Sequence, residues 1–531
     1  MVIEKEKNNL RQGLIGNAVI LTASVFIVKL IGYIYKLPLS HILGDEGMGY
    51  FNSAYSIFAF FYMLAIGGVP RAVAISVSEA SVKFGMSEAK KILNISLEIF
   101  LSIGILFSVL LMSFSGFFSR IIGNSTARLS LFCIAPSLTF VTAAGVLRGY
   151  LNGIGKVCCV AIAEILDGVS KFVTGLALAI FAARRNFSAP IISAYTVLGV
   201  SIGAFVGAVF MFVCSKTSNT NENTRQKDDN AVSKIEATKK IFKIAIPITA
   251  SSAIMGAMGI IDVAMIMKRL ISVGVSEGEA VALYGNFTTL VVPLLNLVSA
   301  FISPLAISAM PQIARSCAIG KNAEYYELIK QIIALTAFLI FPVFFAYSFF
   351  AEEILTLLFN DTSAAIAIPL LIAAAPSVLF SAFLLMLNTV LEASGYAHSP
   401  LVSMSIGAAA KILCAYILIG RFGIFGASFS TSICYAVAFF GSLVIMKRRL
   451  KLGVAFFGVA IVPFLISFIL LSVGKSVYAS LFAKSGNHLI FIGFSIALGI
   501  FYLILSLIFM RKRMNYFTEY VKIAKKHQGV L

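Results

Sequence analysis

Apolar runs long enough to cross a bilayer recur along almost the whole chain, and this constrains the fold more than any other feature. They cover 13–34, 49–70, 90–114, 127–150, 156–182, 189–214, 241–267, 280–308, 325–349, 366–391, 400–420, 424–446, 453–474 and 488–510. A helix of about 20 mostly apolar residues spans the hydrocarbon layer, so each run reads as a membrane helix. The composition agrees: 59% of the 531 residues are hydrophobic and 12% charged, where a soluble domain has about 45–50% and about 25%. A soluble multidomain enzyme, a disordered chain and a collagen-like chain are excluded. At roughly 35–40 residues per span and loop, little is left for a soluble domain. The first run is too long for a signal-peptide core and no small-residue cleavage site follows it, so it counts as a permanent span.

The net charge of +19 would point to nucleic acid in a soluble protein. Here the cations must first be located. With the N-terminus inside, and cations near a span edge counted with the adjoining segment, 29 Lys and Arg fall in cytoplasmic segments and 10 in outer loops, while Lys29, Lys171 and Lys411 lie deeper within spans. Membrane proteins keep Lys and Arg in cytoplasmic loops, so both termini are expected in the cytoplasm of a multi-pass protein of the cell membrane. Arg184 and Arg185, in an outer loop, are the local exception. The charge then reflects topology and contact with anionic membrane lipid, and no nucleic-acid partner is expected. The seven cysteines and four histidines lack metal-ligand spacing, so no metal or cofactor is expected and the cysteines read as small apolar packers.

The longest polar stretch, 215–238, has linker composition. Six runs precede it, six follow, and two more come last. The expected fold is therefore an all-α polytopic membrane protein of about fourteen transmembrane helices. It has an N-terminal six-helix lobe (1–214), a cytoplasmic linker (215–238), a second six-helix lobe (239–450), and two extra helices with a basic tail (451–531). A weak repeat fits this division: Tyr50, Asn52, Pro70 and Ala72 match Tyr284, Asn286, Pro304 and Ala306 at one constant offset of 234. Such parallel repeats are how alternating-access transporters are built. The repeated Asn52, Pro70, Asn286 and Pro304 are therefore candidate gate residues.

Charges inside a span cost about 2.5–3.5 kcal/mol on insertion scales and normally face a cavity or a partner. Glu164, Asp167 and Lys171 sit at i, i+3 and i+7, on one face of the fifth span. Asp167 and Lys171 are four apart and can pair. The cluster either lines a substrate cavity or is a self-neutralising set that holds helices together. Lys29 either faces the cavity or snorkels outward. Lys411 has no acid at i±3 or i±4, so its counter-charge is Glu392 on the preceding helix or the substrate. Asp262 either contributes to the site or pairs with Lys268 or Arg269. Lys29, Glu164, Asp167, Lys171, Asp262 and Lys411 are the candidate substrate-binding residues. Arg71, Glu79, Arg148 and Glu392, near the inner face, either anchor in lipid or make gate contacts.

No G-x-x-x-x-G-K-[ST], G-x-S-x-G or His-Glu metal motif occurs, so an enzyme is not expected. Lysines acting as point charges can hold phosphate groups carried on a lipid.

Three pieces then carry a family resemblance: Lys29-x-x-Gly32, the loop Leu43-Gly44-Asp45-Glu46-Gly47-Met48-Gly49, and the run from Gly68 through Pro70 to Ser78-Glu79. Gly153-Ile154-Gly155-Lys156 and Arg421-Phe422-Gly423-Ile424-Phe425-Gly426-Ala427 agree. The chain resembles the SpoVB-like branch of the polysaccharide flippases, relatives of the lipid II flippases within the multidrug/oligosaccharidyl-lipid/polysaccharide exporter superfamily. The resemblance implies movement of a lipid-linked anionic sugar precursor of peptidoglycan or another envelope polymer, in some members for cell wall or spore cortex. It implies a cavity-facing cation in the first span, where Lys29 stands. Those relatives have further arginine and aspartate at the end of that span; this chain has Tyr35 and Lys36. The competing readings are a cation-coupled multidrug exporter, which often uses an acid in the first span, and a polytopic lipid-sugar glycosyltransferase with Asp45 and Glu46 as its acids. Outer loops of about 5–20 residues are too short to build an acceptor site for the latter. A coupling ion is not identified by the residues.

Overall fold

The structure, a computed structural model, describes residues 2–217, 234–319, 322–359, 361–396, 398–450, 458–481 and 489–506. The described residues form helices joined by short turns, with no strand among them. In hydrocarbon no water is available to backbone N–H and C=O groups, and a helix satisfies them within one segment. The helices are α1 (Val2–Ile66), α2 (Val69–Lys83), α3 (Met86–Ser113), α4 (Ser115–Ile121), α5 (Arg128–Ile134), α6 (Ser137–Gly153), α7 (Val157–Arg184), α8 (Ala189–Thr217) and α9 (Lys234–Ser272). They continue with α10 (Glu277–Asn286), α11 (Val292–Ile319), α12 (Asn322–Phe349), α13 (Ala351–Leu358), α14 (Asp361–Ala393), α15 (Ser399–Phe422), α16 (Phe425–Leu450) and α17 (Ile461–Leu481). A last one, α18, is Leu489–Ser506.

Among the described residues, eleven helices are long and apolar enough to cross a membrane, or twelve if the bent pair Ser125–Ile134 and Ser137–Gly153 is one span. The expected count was fourteen. The first two runs merge in one candidate, Ala23–Ser81, and α9, which covers 241–267, is not among the eleven. A straight helix as long as α1 would reach about 100 Å at 1.5 Å per residue, three times the hydrocarbon thickness. It is not straight: at Gly44 the backbone leaves helical geometry (φ 65°, ψ 179°). A left-handed φ is cheap only for glycine, so Gly44 ends one helical segment and starts the next. The proposed linker is partly helical, because 215–217 closes α8 and 234–238 opens α9; its remainder, 218–233, and the tail beyond 506 lie outside the described residues.

By packing, the chain divides into two compact units, Met1–Pro293 with Ala415–Ile424, and Leu294–Cys414 with Phe425–Leu531. In the first unit, α2 rests on α6 through glycines spaced four apart. Gly149 lies against the Pro70 carbonyl and Val73, and Gly153 against the Ala74 carbonyl and Val77. Small residues at this spacing let membrane helices approach closely, where dispersion rather than water expulsion holds them. Val73, Val77, Tyr150 and Ile241 fill the core of this packing. In the second unit, the C-terminal pair α17 and α18 joins α11–α13. An apolar cavity of about 510 Å³ lies among them, lined by residues that include Leu297, Pro342, Phe350, Leu471, Phe491 and Tyr502.

Candidate functional site

Polar side chains in the first unit gather in two networks. The first surrounds α7. The Asp167–Lys171 pair forms as its spacing allows, with Lys171 Nζ 2.6 Å from Asp167 Oδ2 and side chains 29% and 27% exposed. Glu164 does not join that pair. Its Oε1 lies 3.1 Å from Arg148 of α6, and its Oε2 accepts from Ser24 Oγ of α1 at 3.5 Å. Gly203 and Gly207 of α8 sit directly against Lys171 and Asp167, so the charged face of α7 is flanked by α1, α6 and α8. Two valences stay open: Arg148 Nε and Asp167 Oδ1 are buried without a hydrogen-bond partner among the described residues. Tyr62 of α1 lies within electrostatic reach of Arg148, Lys171 and Asp167. The four ionised groups balance one another in charge.

The second network spans the Gly44 break. Lys36, on the N-terminal side, donates to Asn52 Oδ1 on the other side at 3.3 Å and to the backbone carbonyl of Thr288 at 3.2 Å. Asn52 is buried and donates through Nδ2 to Thr289 Oγ1 at 2.8 Å, which orients its oxygen toward Lys36. Asn286 donates to Asp45 Oδ2 at 3.1 Å, and Ser56 Oγ lies 3.2 Å from Tyr284 OH. The two repeat-related asparagines thus work at one interface: Asn52 of α1 holds the turn after α10, and Asn286 of α10 holds α1. Backbones touch here, with Gly49 against the Val281 carbonyl and Gly285 against the Asp45 carbonyl.

The turn after α10 explains why Thr288 has an oxygen to offer. Phe287–Val291 is π-helical, and the Val292 N–H bonds to the Phe287 carbonyl. A π turn would pair the Thr288 carbonyl with residue 293, which is proline and has no N–H. The orphaned oxygen is therefore free for Lys36. A hydrogen bond to a charged group is worth about 1.5–3 kcal/mol, enough to offset part of the cost of an ammonium within a span. Among the described residues Lys36 makes no ion pair, and two of its three N–H donors are used.

The remaining expected residues lie elsewhere. Lys29 is exposed on α1 and makes no ion pair among the described residues. Asp262 is half-buried on α9, within electrostatic reach of Tyr284. Arg269 instead engages α15, through the Tyr416 carbonyl at 3.0 Å and the Tyr416 ring at 4.4 Å. Arg71 is exposed and Pro70 opens α2. Glu79 pairs with Lys83 at 2.9 Å and with Lys240 of α9, and Lys234 of α9 pairs with Glu98 of α3 at 2.7 Å. Pro304 lies within α11. In the second unit Lys411 is half-buried on α15 and Glu392 is exposed near the end of α14. Sequence reasoning missed Lys36 as a half-buried group, Pro293 as the source of its acceptor, and the Lys475–Glu353 pair that ties α17 to α13. The signals were a lysine near the end of the first run and a proline inside the eighth.

Residues 14–317 match the family described as polysaccharide biosynthesis protein. The chain belongs to that family. It is 23% identical over 428 residues to stage V sporulation protein B of Bacillus subtilis, covering 79% of this chain and 80% of the relative. It is 21% identical over 450 residues to the lipid II flippase MurJ of Bacillus subtilis, covering 81% and 82%. Among solved structures, the lipid II flippase MurJ in an inward closed conformation superposes with a TM-score of 0.68 at 18% identity, covering 93% of this chain and 100% of that one. The chain is thus a multi-pass membrane protein with the fold of these transporters.

Proposed function

We propose that the protein is a flippase, which moves a lipid-linked sugar precursor of peptidoglycan or another envelope polysaccharide across the cell membrane by alternating inward and outward access. The observation that supports this most is the charge of the first span. Lys29 and Lys36 of α1 make no ion pair among the described residues, so the span carries positive charge ready for an anion. Cation-coupled drug exporters often use an acid there instead. A phosphate-bearing head group fits lysine, which acts as a compact point charge.

On this reading Arg148 and the Glu164–Asp167–Lys171 face of α7, with Lys29, Asp262 and Lys411, contact the head group. Asn52 and Asn286 serve as gate residues at the α1–α10 interface, and Pro70, Arg71, Glu79, Pro304 and Glu392 as further gate residues. The six-span halves 1–214 and 239–450 alternate access, the appendix 451–531 follows them, and both termini are cytoplasmic. The apolar cavity beside α17 and α18 can take hydrocarbon. No covalent chemistry is assigned to the protein.

A flipping assay in proteoliposomes with defined polyprenyl-pyrophosphate sugars tests the reading. Protein-dependent movement of at least one such lipid is expected. Failure with all of them, together with ion-dependent efflux of cationic dyes, would replace it with the drug-exporter reading.

A further inference from the structure

Lys36 does more than place a positive charge. Its two partners lie on different elements: Asn52 beyond the Gly44 break in α1, and Thr288 in the turn after α10. One ammonium therefore ties together the two segments of α1 and the α1–α10 interface. Both partners are neutral oxygens, and among the described residues the third donor is unused. An anionic oxygen competes for such a group better than a carbonyl or an amide does, because a charge-assisted pair between full charges is stronger than a charge–dipole contact.

We infer that Lys36 is an anion-released latch: an anionic oxygen of the cargo draws the ammonium from the Thr288 carbonyl and Asn52, which frees the Gly44 hinge and parts α10 from α1. The inference rests on the flippase reading for the nature of the cargo, and it adds how occupancy is signalled to a gate. A ligand moves a two-state element only through a difference in affinity between the states. Here that difference is the exchange of two neutral acceptors for an anion. Pro293 belongs to the device, because it keeps the Thr288 carbonyl from being satisfied within its own helix.

The experiment uses the full chain with its native cysteines replaced, carrying S56C and Y284C, in phosphatidylcholine liposomes. A short bifunctional thiol reagent reports closure of α1 on α10. Adding a polyprenyl pyrophosphate is expected to lower cross-linking at least threefold, whereas the uncharged polyprenol leaves it unchanged. K36R behaves like the parent. K36Q keeps a neutral tether, so its basal cross-linking stays high and no longer responds. P293A gives Thr288 an intrahelical donor, so its basal cross-linking is lower before any lipid is added; this arm stands even where a Lys36 variant fails to fold. A K36Q protein that responds like the parent overturns the latch. So does a parent that binds the pyrophosphate by native mass spectrometry with unchanged cross-linking, and in that case the flippase reading survives. No binding of any polyprenyl pyrophosphate overturns both.

Discussion

Asp167 and Lys171 pair with each other, yet each sits where an unpaired charge is costly. Removing one partner of a buried pair strands the other, whereas removing both leaves only a loss of packing. Their side chains keep about a quarter of their surface open, so water screens part of the effect. Asp167→Ala is expected to lower stability by on the order of 1–2 kcal/mol, and the double change with Lys171→Ala by less. Thermal unfolding in detergent of the two single variants and the double variant measures the coupling. Strictly additive losses would show that the two groups do not support each other in the folded protein.

At the scale of helices, close approach decides which positions tolerate change. A Cβ on Gly149 would lie 2.7 Å from the Pro70 carbonyl oxygen and 2.8 Å from Val73 Cβ. Overpacking of this kind costs about 1–3 kcal/mol. Gly149→Val is therefore expected to lower the melting temperature and separate α2 from α6. Among the described residues Gly259 of α9 has nothing within 4 Å of the same atom, and Ala exceeds Gly in helix propensity by about 1 kcal/mol, so Gly259→Ala should leave stability unchanged or raise it. The same comparison shows which features could be read without a structure. Helices and the Asp167–Lys171 pair follow from local spacing, which is periodic and visible. Arg148–Glu164 joins α6 to α7 and Lys36–Thr288 links residues 252 apart, so both depend on tertiary placement. The Thr288 acceptor is harder still, because it arises from a backbone register change and a missing N–H rather than from any side chain. Gly44 appeared in the sequence as part of a family loop, and only its positive φ shows that it divides α1.

For the whole molecule, the cation asymmetry predicts that the 215–238 segment is cytoplasmic and that 482–488 faces outward. Both lie largely or wholly outside the described residues. Single cysteines at Ser218 and Asn487 should react with a membrane-impermeant thiol reagent in intact cells only at Asn487; reaction at Ser218 would invert the topology. The same orientation makes transport sensitive to voltage. Over a complete cycle the protein's own charges return to where they began, so Lys29, Lys36, Lys171 and Lys411 add nothing to the net work. Only the charge of the cargo counts. An inside-negative potential favours outward movement of an anion by about 2.3 kcal/mol per charge per 100 mV. A pyrophosphate with two charges would thus be driven by about 4.6 kcal/mol, or roughly a thousandfold in its distribution between leaflets. Proteoliposomes holding a potassium diffusion potential across the membrane, with all protein facing one way, can measure this. Outer-leaflet accumulation of a polyprenyl-pyrophosphate sugar should rise steeply with potential and vanish when the potential is collapsed. A distribution indifferent to voltage would mean that cations cross with the cargo in equal charge, and the search would turn to the coupling ion.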